Sequence, residues 1–460
     1  MRDFHSKQGP SADDGPFFFF QCARASLGAR MHVIVLGAGV VGVTTAYYLA
    51  RDGHHVTLVD RNQGVALEAS YANGGQLSYS YVAPLADPGV WPKLLPWLLS
   101  PSSPVRFRPQ LDPRQWRWCL QFLAACRGTR SAETTRHLLR LGHASRHLMH
   151  ELLAQEPTLD CAYTNSGKLV VYRHAAALNG ARRQVEFQHG LVADSDYRQE
   201  VLDSATCLKI EPALAGLHGQ IVGGVHTPSE DTADCYRFSV GLLARIRAAA
   251  AENQCLFDTS IERLRVSRGE ITGVETSAGL LEADAYVLAS GCDSARLARP
   301  LGLSLPIYPL KGYSLTAPIS DPHAAPTLSV TDFQHKIVYA RLDGQLRVAG
   351  IADIGGYDLS IAPRRLATLL AEARNAFPGA ARYEQSQGWA GLRPATPSGR
   401  PILGHSPYRK LWLNVGHGAL GFTLSLASGR ALADLIGGEA PFVELDGFTL
   451  PGAESSARSR

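Results

Sequence analysis

Among the eight cysteines (Cys22, Cys119, Cys126, Cys161, Cys207, Cys235, Cys255 and Cys292) there is no CxxC pair and no Cys/His spacing suited to a metal ion. That scatter excludes a disulfide framework and predicts reduced, mostly structural thiols in a reducing compartment, with no metal centre. Charge of one sign is also scarce. A formal net charge of +4 over 460 residues is far from the concentrated basic face that neutralises phosphates, so no nucleic-acid partner is expected. No apolar run reads as long enough to span a membrane. The run Phe17 to Phe20 is too short for the core of a secretory signal, and a cytoplasmic location follows. At 45% hydrophobic and 19% charged, the composition excludes bulk disorder.

This length admits two or three domains. Residues 1–30 are polar and punctuated by Gly and Pro, and Met31 stands directly before an apolar strand. They are read as a disordered leader or an over-extended start. From His32 the chain predicts a buried strand (Val33 to Leu36), a glycine turn, a helix (Val41 to Asp52) and a second strand (Val56 to Val59). The apolar runs are continuous, as in parallel strands covered on both faces. Further on, helices are predicted over 132–156, 175–189 and 235–253, the last capped by Asp234, with a strand at Lys168 to Tyr172. Short strands at 261–266, 271–275 and 285–288 are expected to extend the first sheet. Alternating segments between Ile307 and Ala352 predict an antiparallel sheet. A helix over 365–377 precedes a final strand–glycine–helix unit, 411–436.

The expected fold class is therefore α/β: a discontinuous Rossmann-like domain with an inserted α+β domain carrying an antiparallel sheet. Residues 31–85, 205–300 and 386–450 are assigned to the first domain, 86–204 and 301–385 to the second, and 451–460 to a tail.

Residues 84–130 differ from the rest. They hold eight prolines, four of the six tryptophans (Trp91, Trp97, Trp116 and Trp118) and about +5 of formal charge, with little periodicity. Trp and Arg together suit a membrane interface or a partner groove; Trp packed between domains is the plainer alternative.

Five segments carry the chemistry. Gly37-Ala38-Gly39-Val40-Val41-Gly42 follows the strand ending in Val35 and Leu36 and opens a helix, and Asp60-Arg61 closes the next strand. The first glycine permits a tight turn, the second lets a pyrophosphate approach the backbone, and the third allows close helix–strand contact; Asp60 would bond the adenosine ribose. This pattern alone does not separate FAD from NAD. FAD is favoured by three later segments suited to a long bound cofactor. These are the small-residue loop with Ser70, Asn73, Gly74, Gly75 and Gln76, the strand end at Ala289 and Gly291 (with Ile261 nearby), and the junction Gly416, Gly418, Leu420, Gly421, Phe422 and Thr423. Helix amides at that junction would stabilise negative charge on a reduced flavin. The alternative is a plain turn with a surface histidine. Finally, Gly391-Leu392-Arg393-Pro394 sets an arginine in an apolar stretch. A planar guanidinium binds a carboxylate bidentately, although an internal ion pair would explain it too. Arg400 is a weaker candidate.

Through these motifs the sequence resembles the D-amino-acid dehydrogenase small-subunit family, within the wider group of D-amino-acid, glycine and sarcosine oxidising flavoproteins. The likeness spans Met31 to about Phe448 and rests on VIVLGAGVVG, VTLVDR, LEASYANGGQLS, YPLKGYSLT, GLRPATPSGRPILG and LWLNVGHGALGFT. It implies bound FAD, oxidative deamination of D-amino acids to 2-oxo acids and ammonia, and electrons passed to a quinone or other respiratory acceptor. It also implies peripheral attachment to the cytoplasmic face of the inner membrane, and it admits a homo- or hetero-oligomer. By the same likeness Arg393 would hold the substrate carboxylate, with the α-hydrogen facing flavin N5. Ala72-Asn73-Gly74-Gly75 and Ala289-Ser-Gly-Cys292-Asp depart from the family pattern, and the leader is foreign to it. Tyr313 and His417 are the polar side chains expected near substrate or flavin, Tyr313 being equally readable as a strand residue with a satisfied hydroxyl. Two rival readings stand beside this one: a glycine, sarcosine or D-hydroxyproline type oxidase, and a non-catalytic flavin-bound or membrane-docked subunit.

Overall fold

The computed structural model describes residues 29–93, 103–191 and 197–450. The expected leader, apart from residues 29 and 30, lies outside the described residues, as do the tail, Trp97 and Cys22.

The first strand, His32–Leu36, is apolar on both faces and pairs in parallel with His55–Val59 and Ala285–Leu288. Gln254–Leu256 and Leu411–Val415 continue that sheet in parallel, and Ile402–His405 closes one edge in antiparallel sense. Strand alternation divides its residues between two cores. Val33 and Val35 face a layer of helices, Val40–Arg51, Gly128–Gln155, Cys235–Ala249 and Gly421–Ile436. Ile34 and Leu36 face Leu264, Ile271 and Val274 of a separate three-stranded antiparallel sheet, Ile261–Ser267, Glu270–Thr276 and Gly279–Leu281. The strands near 261 and 271 were expected to lengthen the first sheet; instead they cover its second face. Their alternating burial explains the difference, because only one side of such strands is apolar. Asp234 caps its helix as expected, its carboxylate accepting from the Arg237 amide at 2.9 Å.

The second sheet has nine strands, mostly antiparallel. Gln387–Ala395 forms one edge and pairs with Tyr308–Pro318; then come Gln345–Ile354, Ile337–Leu342, Ser329–Asp332, Lys168–Tyr172, Gly223–Thr227 and Glu200–Asp203, with Val105–Phe107 beside Gln345–Ile354. Helix Pro363–Ala376 packs on one face. The opposite face turns toward the first domain.

This topology moves the expected boundaries. Gln387–Ala395 lies inside the second sheet although 386–450 was assigned to the first domain, because its backbone bonds run to Tyr308–Pro318. Gly223–Thr227 likewise belongs to the second sheet, and Gly128–Gln155 packs in the first core rather than the second. Residues 84–130 are also more regular than expected: Pro113–Ala125 is a helix capped by Asp112, with Trp118 and Phe122 buried on one side. One apolar helical run, Gly418–Ile436, is long and apolar enough to cross a membrane by length and composition, contrary to the sequence expectation. It is a core helix, packed between Val40–Arg51 and Gly128–Gln155.

The second domain encloses one fully buried ion pair. The Asp353 carboxylate accepts from the Arg365 guanidinium and from the Tyr313 hydroxyl at 2.9 Å, and Arg365 also donates to the Ser103 carbonyl at 2.7 Å. Removing one partner strands a charge in the core. Asp353→Ala should therefore lower stability by about 3–5 kcal/mol, read as a shift of the denaturant unfolding midpoint; a midpoint unchanged from wild type would refute this.

Candidate active site

A cavity of about 1200 Å³ runs between the two sheets and is lined by all five segments singled out in the sequence. At one end, Gly37 adopts φ +109°, and a Cβ there would stand 2.6 Å from the Ala289 carbonyl oxygen. A Cβ on Gly42 would stand 1.9 Å from the Gly37 oxygen, so the helix and the turn meet backbone to backbone. Gly39 precedes the helix and supplies no side-chain cap; the Ser70 hydroxyl accepts from the Val40 amide at 3.1 Å instead. Asp60 sits at the strand end, its carboxylate accepting from the amides of Ala38 (2.7 Å) and Asn62 (2.9 Å). Arg61 is held by Glu68 and Asp293.

Of the residues expected to touch a cofactor, Gly37, Gly39, Val40, Val41, Asp60, Arg61, Ser70, Asn73, Gly74, Gly75, Gln76, Ile261, Ala289, Gly291, Gly391, Gly416, Gly418, Leu420, Gly421, Phe422 and Thr423 line the cavity. Val35, Leu36, Ala38 and Gly42 do not; they lie buried behind it and support the turn. The Asn73–Gly75 loop is pressed against the second sheet, with a Gly74 Cβ falling 2.9 Å from Val338 Cγ2. Arg347 and Ser314 of that sheet hold the loop by donating to the Asn73 carbonyl (2.7 Å) and the Ala72 carbonyl (2.6 Å). Gly416 has φ +81°, and its Cβ would meet Thr396 Cγ2 at 2.6 Å. Helix Gly421–Ile436 then starts at the cavity without a side-chain cap. Two helix starts open into one long cavity and, beyond the Val40 amide held by Ser70, present amide donors and positive dipole ends to an anionic ligand. FAD fits this arrangement, its diphosphate at the first helix start and its flavin beside the second.

Arg393 lies on Gln387–Ala395 with Trp389 and Gly391 on the same face. It is half-buried, lines the cavity, and donates only to the Ile351 carbonyl at 3.3 Å. Among the described residues no carboxylate pairs with it, which removes the internal ion pair as an explanation. Burial pushes its pKa below the usual arginine value. Gly312 makes the space, since a Cβ there would stand 2.4 Å from Arg393 Nη2. Opposite, a register shift leaves Ile351 at φ +57°. A β-branched residue in that region is strained by about 1–3 kcal/mol, and the distortion turns its carbonyl onto Arg393.

The other two expected catalytic residues also line the cavity, but their polar groups are engaged by protein partners. Arg393 is registered with Leu310 and Tyr313 with Ala390, so strand alternation sends Tyr313 to the opposite face. It lies in the second core with its hydroxyl given to Asp353. His417 is buried, its Nε2 3.2 Å from the Ser428 hydroxyl, and burial pushes its pKa down to about 3. It is a neutral packing residue beneath the helix start. Arg400 is spent on Glu133 at 3.4 Å.

Sequence reading missed Lys168. Its ammonium is buried in the cavity wall and donates to Gln76 Oε1 (2.6 Å) and Ser78 Oγ (2.7 Å). Tyr81 and Tyr172 line the same limb, and Trp118 and Phe122 another. The signal was a lysine inside an apolar strand, Lys168–Tyr172, where a charge is costly without a purpose.

A Gly312→Ala variant should keep its flavin yet bind a simple carboxylate about ten- to a hundredfold more weakly, since a charge-assisted bond contributes about 1.5–3 kcal/mol. Titration of the bound flavin's visible spectrum measures this, and an unaltered Kd would place the carboxylate elsewhere.

Residues 32–435 match the family model DAO, FAD dependent oxidoreductase. The chain is 47% identical over 421 residues to D-amino acid dehydrogenase 2 of Pseudomonas aeruginosa, covering 92% of this chain and 98% of that protein. It is 48% identical over 429 residues to D-amino acid dehydrogenase 2 of Ralstonia nicotianae, covering 91% and 100%. Among solved structures, glycine oxidase from Geobacillus kaustophilus superposes with a TM-score of 0.72 at 23% identity, over 92% of this chain and 99% of that one. L-proline dehydrogenase from P. horikoshii gives 0.70 at 16% identity, over 91% and 96%. At these identities the superpositions speak for a shared fold, while the family match and the closely similar sequences carry more: the chain belongs to the DAO family of FAD-dependent oxidoreductases.

Proposed function

We propose that this protein oxidises D-amino acids to 2-oxo acids and ammonia and passes the electrons to a membrane quinone. The reading is carried by one observation: Arg393 is a cavity-lining guanidinium with no acidic partner among the described residues, so a ligand carboxylate is the natural counter-ion. Such a charge left uncompensated is expensive, which also argues against a non-catalytic subunit. Bound FAD supplies the two-electron acceptor for the hydride on the substrate α-carbon. Arg393 anchors and orients the carboxylate, Gly312 keeps the guanidinium's space open, and Trp389 walls the same face. The similar proteins named D-amino acid dehydrogenase support a D-amino acid as substrate and a non-oxygen acceptor.

The quinone rests on the outer surface. Leu85, Trp91, Leu111, Trp116 and Leu120 are exposed, and so are Tyr357, Leu359 and Ile361. Arg108 joins the two groups through Asp358, at 3.8 Å. An exposed apolar group flanked by arginines suits a lipid interface. Helix Pro113–Ala125 exposes Trp116 and Leu120 while Trp118 and Phe122 line the cavity. One helix thus offers an apolar route from a membrane to the flavin.

Arg393→Lys should raise KM at least about tenfold with flavin retained, because a point charge cannot replace a bidentate fork. Normal KM would remove Arg393 from the site. A panel of D-alanine, glycine, sarcosine and D-hydroxyproline, assayed by quinone or dye reduction against peroxide formation, tests the acceptor and substrate; fast peroxide release would favour the oxidase reading. Trp116→Ser with Leu120→Ser should weaken flotation with anionic vesicles while dye-linked turnover in detergent persists, and undiminished flotation would exclude this face.

A further inference from the structure

Lys168 and Glu230 are each about 1% exposed, and neither is explained by the cofactor cradle or by Arg393. No carboxylate lies within ion-pair distance of Lys168 among the described residues. Its two close partners are neutral, Gln76 Oε1 and Ser78 Oγ, and its Nζ stands 4.7 Å from the centre of the Tyr81 ring. Ser78 in turn donates its amide to Thr423 Oγ1 at 3.1 Å, which ties the lysine's support to the helix start expected to hold the flavin. Among the described residues, Glu230 is the carboxylate whose charge acts on Lys168, after the larger effect of burial. Glu230 Oε1 accepts from the amides of Ser80 (2.7 Å) and Tyr81 (3.3 Å), and its Oε2 has no protein partner.

A second group of polar residues begins at Asp231, next to Glu230 in the chain, and reaches the surface. Tyr79, whose hydroxyl also lacks a hydrogen-bond partner, feels the charges of both Glu230 and Asp231. Asp231 is fully buried, bonded to His150 Nε2 at 2.9 Å and to Asn165 at 2.7 Å. His150 also meets the Tyr163 hydroxyl at 2.9 Å, and its side chain is 36% exposed. The remaining polar neighbours are His143 on the Ser80 hydroxyl and Arg146 on the Ser229 carbonyl.

We infer that Lys168 and Glu230 form a buried proton-accepting pair, which takes the proton that the substrate ammonium must lose and passes one on toward Asp231 and His150 at the surface. The inference rests on the amino-acid oxidising function proposed above. Burial disfavours charge on both groups, moving the lysine down and the glutamate up. A neutral amine beside a protonated carboxyl is then an accessible resting state. On substrate binding an ammonium N–H bond breaks, its electron pair stays on the substrate nitrogen, and the proton bonds to Lys168 Nζ. Glu230 releases its own proton outward, leaving an ammonium–carboxylate pair in the wall. The freed lone pair forms the C=N bond as the α-hydrogen leaves with its electrons to bound flavin, and water converts the iminium to the 2-oxo acid and ammonium.

The test compares the pH dependence of kcat/KM in wild type, K168M and K168R, with bound flavin and spectral titration by an amine-free carboxylate as controls. Near neutrality K168M should lose about 10²- to 10⁴-fold in kcat/KM, the usual range for a positioned base. The loss should shrink as pH approaches the substrate's own ammonium pKa, where the free amine no longer needs an acceptor. Carboxylate binding should be unaffected. K168R, a permanent cation, should be as impaired as K168M; recovery in K168R would make Lys168 a structural charge and overturn the proposal. Independently of turnover, 2-aminoisobutyrate, which has no α-hydrogen, should release up to one proton per site on binding to wild type and none with K168M or E230Q. The E230Q measurement decides the matter should K168M lose flavin. Wild type active on D-amino acids with variants that share its pH profile and proton release overturns this inference alone, whereas a wild type inactive on every amino acid overturns the function itself.

Discussion

The structure depends on a backbone-to-backbone contact: Gly42 lies so close to Gly37 that no side chain fits between them, with 1.9 Å left for a Cβ. This contact lets helix Val40–Arg51 start directly on the end of the first strand. The same economy of space recurs where Gly429 of the last helix meets the Thr45 amide at 3.0 Å from its notional Cβ. Thr44 donates across that crossing to the Ser425 carbonyl at 3.1 Å. Two helices packed this closely begin at one cavity, each with amides uncapped by its own side chains. A diphosphate and a reduced flavin are the kinds of charge that such starts stabilise.

The second sheet adds electrostatics of the same sign, basic side chains in the wall held by neutral groups. Arg393 is oriented by the Ile351 carbonyl, and that carbonyl is available because the strand is distorted at Ile351. Strain at this one residue is supported by the regular ladder on both sides and by the Asp353–Arg365 pair beneath it. Lys168 is held by Gln76 and Ser78, residues of the loop that itself faces the cofactor cradle. The cavity is thus lined on one side by backbone donors and on the other by cationic side chains. Anionic ligands are favoured throughout.

Much of this was legible from residue order. Gly37 to Gly42 with Asp60, the loop 70–76 and the junction 416–423 each announced themselves by local composition, and each lines the cavity or backs its lining. Arg393 was legible for the same reason, an arginine in an apolar strand beside glycine and proline. Tyr313 and His417 also line the cavity, but the partners of their polar groups, Asp353 and Ser428, follow from strand register and helix packing, which residue type does not disclose. Lys168 and Glu230 went unremarked. For Lys168 a lysine inside an apolar strand was the signal, whereas the turn holding Glu230 gives none; the Gly167 amide on the Glu230 carbonyl at 2.9 Å brings the two segments together.

What the sequence by itself determined is the set of local conformations: where glycine is needed for close approach, where strands alternate or stay apolar, where a helix must begin. Those depend on neighbours along the chain. Tertiary structure alone decided which sheet received Gln387–Ala395, that the strands near 261 and 271 form a separate layer, and which buried charges share a cavity without sharing an ion pair. Such outcomes are set by pairing between distant segments, whose backbone hydrogen bonds look alike at every register until the packing of both cores selects one.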